Sequence, residues 1–321
     1  MKRYIGKRAL TGLLVVLVSV CFNFVLVRLA PGDPVKIMAG TENPNPEMIA
    51  TLTQKYGLDK SIPEQFVMFL EGVVKGDLGY SYVSDEPVIK LIGEKIVPTL
   101  LLSLTALILS VTIGSILGVQ AARRHNSKFD KFVCGVSYIF DSTPGFWLGM
   151  IMILIFASTL KWFPTSGMVN LRENYTGFNK ILDIIWHMVL PVGTLVLVQI
   201  PYYFRITRSS VLQVMSEDFV TTFKATGMSR KKIFNKYVFK NAVLPTITIV
   251  GMSIAFLLSG TVLLETVFSW PGMGRLLMSS ISKRDYPVLT GIYLVISVSI
   301  AVMMIVVDVV YGLADPRIKH E

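Results

Sequence analysis

Charge is what this chain has least of. Only 16% of its 321 residues are Asp, Glu, Lys or Arg, where a soluble domain carries about a quarter. Apolar residues make up 52% of it and fall in long runs, so lipid is expected as its main solvent. The net charge of +10 does not make nucleic acid a partner, because the bases stand in short segments between apolar runs and not along one soluble face. Cysteine is scarce too: Cys21 and Cys134 are the two present. Each sits within an apolar run, which leaves no disulfide or metal framework and suits small buried hydrophobes. The three histidines, His125, His187 and His320, are scattered, which argues against a His-rich metal centre. A Gly-x-x-x-x-Gly-Lys-Ser/Thr phosphate loop is missing, as are a His-Glu-x-x-His helix and a Gly-x-Ser-x-Gly elbow. No catalytic constellation, resident cofactor or metal is therefore expected, and the chain reads as a non-enzyme. Asn174-Tyr175-Thr176 fits a glycosylation sequon, a pattern short enough to arise often by chance.

What is abundant is span-length hydrophobic sequence. Six runs approach or exceed the roughly 20 residues a helix needs to cross a bilayer: about Ala9–Val27, Pro98–Ala122, Phe132–Leu160, Ile184–Phe204, Asn241–Val267 and Val288–Ala314. Backbone groups in lipid must be satisfied within the segment, so an all-α polytopic membrane protein is predicted. Pro144 and Pro191 interrupt two of the runs and predict kinks. The first run follows Met-Lys-Arg but is too long for the apolar part of a signal peptide, and reads as a retained anchor.

Charge sets the expected orientation. Residues 1–8, 123–131, 205–240 and 315–321 hold 18 Lys/Arg against 5 Asp/Glu, whereas 28–97, 161–183 and 268–287 hold 13 of each sign. The basic set is expected in the cytoplasm, with both termini. The organisation read from this is a cytoplasmic stretch 1–8, a first span 9–27, an extracytoplasmic segment 28–97, a five-helix core 98–314 containing a cytoplasmic loop 205–240, and a cytoplasmic tail 315–321. The 28–97 segment has helical patterns near Pro46–Tyr56 and Pro63–Val74. At about 70 residues it is small for a free-standing domain and is expected to cap the helix ends.

Acids inside spans cost about 2.5–3.5 kcal/mol each at the bilayer centre. Asp141, beside Ser142, Thr143 and Pro144, either lines a substrate path at a proline kink or packs by hydrogen bonding against a neighbouring helix. Glu265 is read as interfacial, and Asp308 as the partner of a cytoplasmic base. The inner loop is richer. Phe219, Val220 and Phe223 recur at helical spacing, as do Ile233, Phe234, Tyr237 and Val238. Gly227 between them suits a left-handed helix end, and Ser229 an N-cap. Two short amphipathic helices meeting at a turn are predicted, whose exposed face serves either lipid phosphates or a protein partner.

At this point the residues resemble a known family. Gly227 and Val243-Leu244-Pro245 match the loop motif of permease subunits of ATP-binding-cassette importers, with Thr221-Thr222-Phe223 standing where the family carries Glu-Ala-Ala. Arg28-Leu29-Ala30-Pro31-Gly32-Asp33-Pro34, Tyr56-Gly57-Leu58-Asp59, Gly76-Asp77-Leu78-Gly79-Tyr80-Ser81, Glu265 through Gly274 (with Trp270-Pro271-Gly272), Arg284-Asp285-Tyr286-Pro287 and Asp315-Pro316-Arg317 are similar, in this order, to the first-permease form of the dipeptide/oligopeptide/nickel branch. The resemblance covers nearly the whole chain. It implies a type I importer permease bundle of six transmembrane helices with a small extracytoplasmic cap. The implied partners are a second, homologous permease, two cytoplasmic ATPases that bind the ATP and Mg, an extracytoplasmic substrate-binding protein, and membrane lipid. The implied ATPase-coupling residues are Glu217, Asp218, Phe219, Thr222, Phe223, Lys224, Ala225, Gly227, Met228, Ser229, Arg230 and Phe234. Asp141, Ser142 and Pro144 are candidates for the substrate path, and Asp77, Trp270, Gly272 and Asp285 for docking of the binding protein. Short peptides are the expected cargo, with nickel or a metal chelate as the alternative. A secondary transporter is a different-class alternative that lacks inverted repeats here.

Overall fold

In the computed structural model the backbone is described for all residues except 1, 30, 31, 33, 36–45, 174, 260 and 315–321; for 2–5, 7 and 309–314 the backbone alone is described. The Arg28–Pro34 turn is thus described in part, and Asn174 of the sequon and Asp315-Pro316-Arg317 lie outside the described residues. Among those described there is no β-strand. The helices are α1 Lys2–Leu29, α2 Pro46–Lys55, α3 Ile62–Val74, α4 Val88–Arg123, α5 Lys128–Asp141, α6 Gly145–Met152, α7 Gly177–Met215, α8 Asp218–Ala225, α9 Arg230–Ile233, α10 Phe239–Ala242, α11 Leu244–Ala255, α12 Val262–Val267, α13 Met273–Lys283 and α14 Tyr286–Ala314. Among the described residues, five stretches are long and apolar enough to cross a membrane, and a sixth if α5 and the helix starting at Gly145 count as one broken span.

The spans depart from the sequence reading in three places, the first of them at a predicted kink. The third run is not one helix: it bends by 97° between Asp141 and Gly145, where Pro144 stands outside the helix as the N-cap of α6. Proline clashes with the preceding turn and disfavours helix in the residue before it. The fourth span does not stop at Phe204 but runs unbroken to Met215. Its charges, Arg205 and Arg208, find acidic partners and so do not end it. The fifth run ends at Ala255, and α12 is a separate short helix. The fifth span instead begins early, since Arg230–Ala255 forms one 26-residue helical stretch. Long basic stems lie along apolar surface while their heads reach water, so charge alone does not mark that helix end. Cys21, expected to be buried, lies on the exposed face of α1, and Cys134 is half-buried.

The chain divides into two compact units. The first comprises Met1–Thr99, Leu258–Thr266 and Pro271–Glu321. In it α1 packs along α14; Gly12 admits Ala301, whose Cβ would sit 3.6 Å from a Cβ at Gly12. Arg8 pairs with Asp308 at 3.0 Å, as that acid's position at the span end predicts. Phe24 of α1 is fully buried against Phe66 and Phe69 of α3, at ring distances of 5.0 and 5.7 Å. A core of Val88, Ile92, Met273, Val288 and Ile292 ties the start of α4 to α13 and α14. Helices α2 and α3 fall where the sequence predicts them. Ser61 and Glu64 close a capping box on α3, with the Ser61 N–H donating to Glu64 Oε2 at 2.9 Å.

The second unit comprises Leu100–Leu257 and Val267–Trp270. Here α7 lies directly on α4: a Cβ at Gly118 would meet the Phe204 carbonyl oxygen at 2.8 Å, so only glycine permits that approach. A polar seam joins α7 to the helices after the loop. Thr207 and Thr246 share a hydrogen bond of 3.0 Å, Ser210 Oγ donates to the Ala242 carbonyl at 2.8 Å, and Tyr203 and Ser253 share one of 2.9 Å. In lipid such bonds satisfy groups that water does not reach, while small side chains allow close packing.

Candidate functional site

The segment from Met215 to Lys240 is built on one small core. Val220 of α8, Ile233 of α9, Phe234 and Val238 of the wider turn that follows, and Ala242 of α10 close on Val211 of α7 and Ala122 of α4. Phe219, Phe223 and Met228 pack on its edge. Phe223 packs on Tyr237 at 4.4 Å and meets Phe219 edge-on at 6.0 Å, and the Arg123 guanidinium lies 4.7 Å from the Phe234 ring centre.

The turn at the centre of the site is set by its backbone. Gly227 has φ +77°, the left-handed region. The Met228 N–H donates to the Phe223 carbonyl, and the Gly227 N–H to the Lys224 carbonyl, both at 3.1 Å. This is the double bond pattern of a Schellman C-cap, and Met228 and Phe223 supply the apolar contact that goes with it. Ser229 then takes the extended backbone of an N-cap and α9 begins. Both expectations for the turn are met. The second helix differs, since it does not stop at Lys240.

Sorted by exposure, the twelve candidates fall into two groups. Glu217, Asp218, Thr222, Lys224, Ala225, Gly227, Ser229 and Arg230 face solvent. Phe219, Phe223 and Met228 are half-buried and Phe234 is buried; these four hold the surface in place rather than present it. The unusual triplet has a physical reading. Thr221 and Thr222 are exposed, while Phe223 turns inward onto Tyr237, filling space that an alanine would leave open.

Elsewhere in the second unit, Asp141 pairs with Arg205 at 2.7 Å, and both side chains remain well exposed. Ser142 and Pro144 are exposed at the 97° bend. A second acid–arginine pair escaped the sequence reading. Asp130 is buried and accepts two bonds from Arg208, at 2.7 and 2.8 Å, and one from the Asn126 N–H at 3.0 Å, which locks α5 to α7. Asp130 lies in the first turn of α5, within the 123–131 segment that reads as loop and before the third apolar run starts at Phe132, so the sequence carries no signal for the pair.

In the first unit, Asp77 is exposed and caps a glycine turn, its Oδ1 accepting from the Gly79 N–H at 2.8 Å. Asp285 is buried and accepts from the Ser81 hydroxyl and the Tyr82 N–H. Gly272 is the N-cap of α13. Trp270, in the second unit, is fully buried. The side chains of Trp270 and Asp285 therefore point inward and are not on the surface. Glu265, expected at an interface, is also fully buried. It accepts from the Thr99 hydroxyl at 2.9 Å and the Arg275 N–H at 3.1 Å, and Thr99 Oγ1 accepts from the Met273 N–H at 2.7 Å. The start of α13 is thereby satisfied by two side chains.

Residues 90–320 match the family described as "Binding-protein-dependent transport system inner membrane component", and residues 1–105 match its N-terminal membrane component. The chain is 38% identical over 313 residues to the di/tripeptide transport system permease protein of Pseudomonas aeruginosa, covering 93% of each chain. It is 37% identical over 318 residues to a probable peptide ABC transporter permease protein of Sinorhizobium fredii, covering 99% of each. To the dipeptide transport system permease protein of Escherichia coli it is 37% identical over 316 residues, covering 93% of each. Among solved structures, a chain of a methionine ABC transporter in inward-facing conformations shares its fold, with a TM-score of 0.56 at 15% identity over 72% of this chain and 99% of that one.

Proposed function

Since the chain belongs to the family of inner-membrane components of binding-protein-dependent transport systems, we propose that it is one permease half of an ATP-driven importer of short peptides. The observation that carries this is the α8–Gly227–α9 turn. Its exposed face of Asp218, Thr222, Ala225, Ser229 and Arg230 rests on a closed apolar core, so a partner pressing on it moves α7 and the Arg230–Ala255 helix as well. Peptide cargo is supported by the names of the three relatives.

In this reading residues 1–8, the 216–229 turn and residues 315–321 are cytoplasmic, and 28–97 lies outside. A second permease completes the path. Two ATPase subunits bind the ATP and Mg and dock on the turn, and a binding protein delivers peptide from outside. Each ATPase closure biases a two-state element between inward and outward opening. Asp141, Ser142 and Pro144, at the 97° bend in the second unit, are the residues proposed to face the path.

The test is reconstitution of the permease pair with its ATPases and binding protein in liposomes. ATP-dependent dipeptide uptake is expected, and Arg230→Glu with Lys231→Glu is expected to weaken ATPase association at ordinary salt. A complex retained at wild-type strength by the charge-reversed chain overturns the docking assignment. Uptake that needs a proton gradient and no ATP overturns the importer reading.

A further inference from the structure

The first unit carries an open cavity of about 430 Å³ lined by α1, α3 and the 77–82 turn, within the range of about 300–1,000 Å³ usual for small-molecule sites. Its charged lining residues are Arg28, Lys55 and Asp77. Lys55 is committed to Asp85 at 3.0 Å. Arg28 is not paired with any acid among the described residues. It is half-buried, its guanidinium sits 3.3 Å above the Phe24 ring, Nε donates to Gln65 Oε1 at 2.8 Å, and Nη1 reaches the Phe24 carbonyl at 3.4 Å. Nη2 makes no hydrogen bond among the described residues. The Tyr82 hydroxyl, on the same lining, also makes none. Burial pushes that hydroxyl well above the usual tyrosine range, so it keeps its proton and remains a donor.

A half-buried cation that meets no counter-charge among the described residues favours a site that an anion can join. Arg28 ends a span, where an arginine ordinarily extends toward lipid phosphates. This one is instead folded back on an aromatic ring and tethered to α3, where it lines the cavity. A guanidinium edge and a hydroxyl together suit the two oxygens of a carboxylate. The volume suits more than a single acidic side chain of a docked protein. Asp77 adds the one carboxylate on the lining, the complement of an ammonium group. We propose that this cavity binds the free carboxylate end of a short peptide, held by Arg28 and Tyr82, as a site on the outer face of the permease. The proposal rests on the peptide reading above.

The probe is trialanine and its C-terminal amide, titrated by calorimetry into the full chain in nanodiscs of zwitterionic lipid. Trialanine is expected to bind about tenfold or more tightly than the amide, because one charge-assisted bond is lost. Arg28→Gln is expected to lose that preference. Tyr82→Phe, which removes one oxygen and endangers folding less, is expected to weaken trialanine alone. Equal binding of acid and amide, no binding, or binding unchanged in both variants overturns the site. So does full displacement by anionic lipid, which makes the site one for phospholipid. Uptake of trialanine by the reconstituted importer is measured in parallel. If uptake proceeds while binding ignores Arg28, this inference alone fails; if trialanine is not taken up under any condition, the peptide reading fails with it.

Discussion

At Gly227 a single methyl group tests the whole turn. With φ at +77°, an L-residue there is strained by about 1–2 kcal/mol, although the added Cβ would meet open space. Gly227→Ala is therefore expected to leave the chain folded and to lower the ratio of peptide transported to ATP hydrolysed. Gly227→Pro, which cannot take positive φ and has no N–H for Lys224, is expected to uncouple the two almost fully. Wild-type coupling by the proline variant counts against a docking role. Gly272 gives the opposite kind of residue-level prediction. A Cβ there collides with the Glu265 carboxyl and the Thr99 hydroxyl, both of which cap α13. Gly272→Ala is expected to lower thermal stability by about 1–3 kcal/mol for each bond left unmade. Gly135→Ala, with nothing within 4 Å of its Cβ and an exposed helical site, is expected to be neutral or to gain up to about 1 kcal/mol.

Among the elements, the two arginine–acid pairs on α7 separate structure from surface. Arg208→Ala strands a buried Asp130, a class of change that costs about 3–5 kcal/mol, and α5 is expected to loosen from α7 in hydrogen exchange. Arg205→Ala breaks an exposed pair and is expected to cost at most about 1 kcal/mol. Helix α2 makes a pH prediction. Its Lys55 bonds to Asp85, holding that carboxyl below the usual range, and the bond to Asp85 raises Lys55 in turn. A depressed acid stabilises above its unfolded pKa and loses that contribution as pH falls through the folded value. Protection of residues 46–55 is thus expected to persist through mild acid and to fall only below the ordinary carboxylate range. The elements also show what the sequence could carry. Periodicity located α2, α3 and the Phe219–Val238 pattern, because each repeats apolar residues on one helical face whatever that face packs against. It missed the cap on α13, because Thr99 lies 166 residues before Glu265 and no local pattern encodes that meeting. It misjudged the fifth span, because the bases at Arg230–Lys240 read as loop when their stems lie on helix.

For the molecule as a whole, the distribution of basic residues makes orientation testable. In a cysteine-free background, single cysteines at Ser127 and Thr226 are expected to react with an impermeant reagent only from the cytoplasmic side, and at Ser166 and Ser282 only from the opposite side. Labelling of Thr226 from the outside removes the turn from reach of any ATPase.

Helix α7 has 39 residues and no break despite Pro191 and Pro201, which makes it about 58 Å long at 1.5 Å per residue. The hydrocarbon layer is only about 30 Å thick. About half the rod therefore projects beyond the lipid, and the turn that ends at Gly227 follows directly from its tip. Because the helix is continuous through both prolines, a push on that tip is carried into the bilayer along a single element.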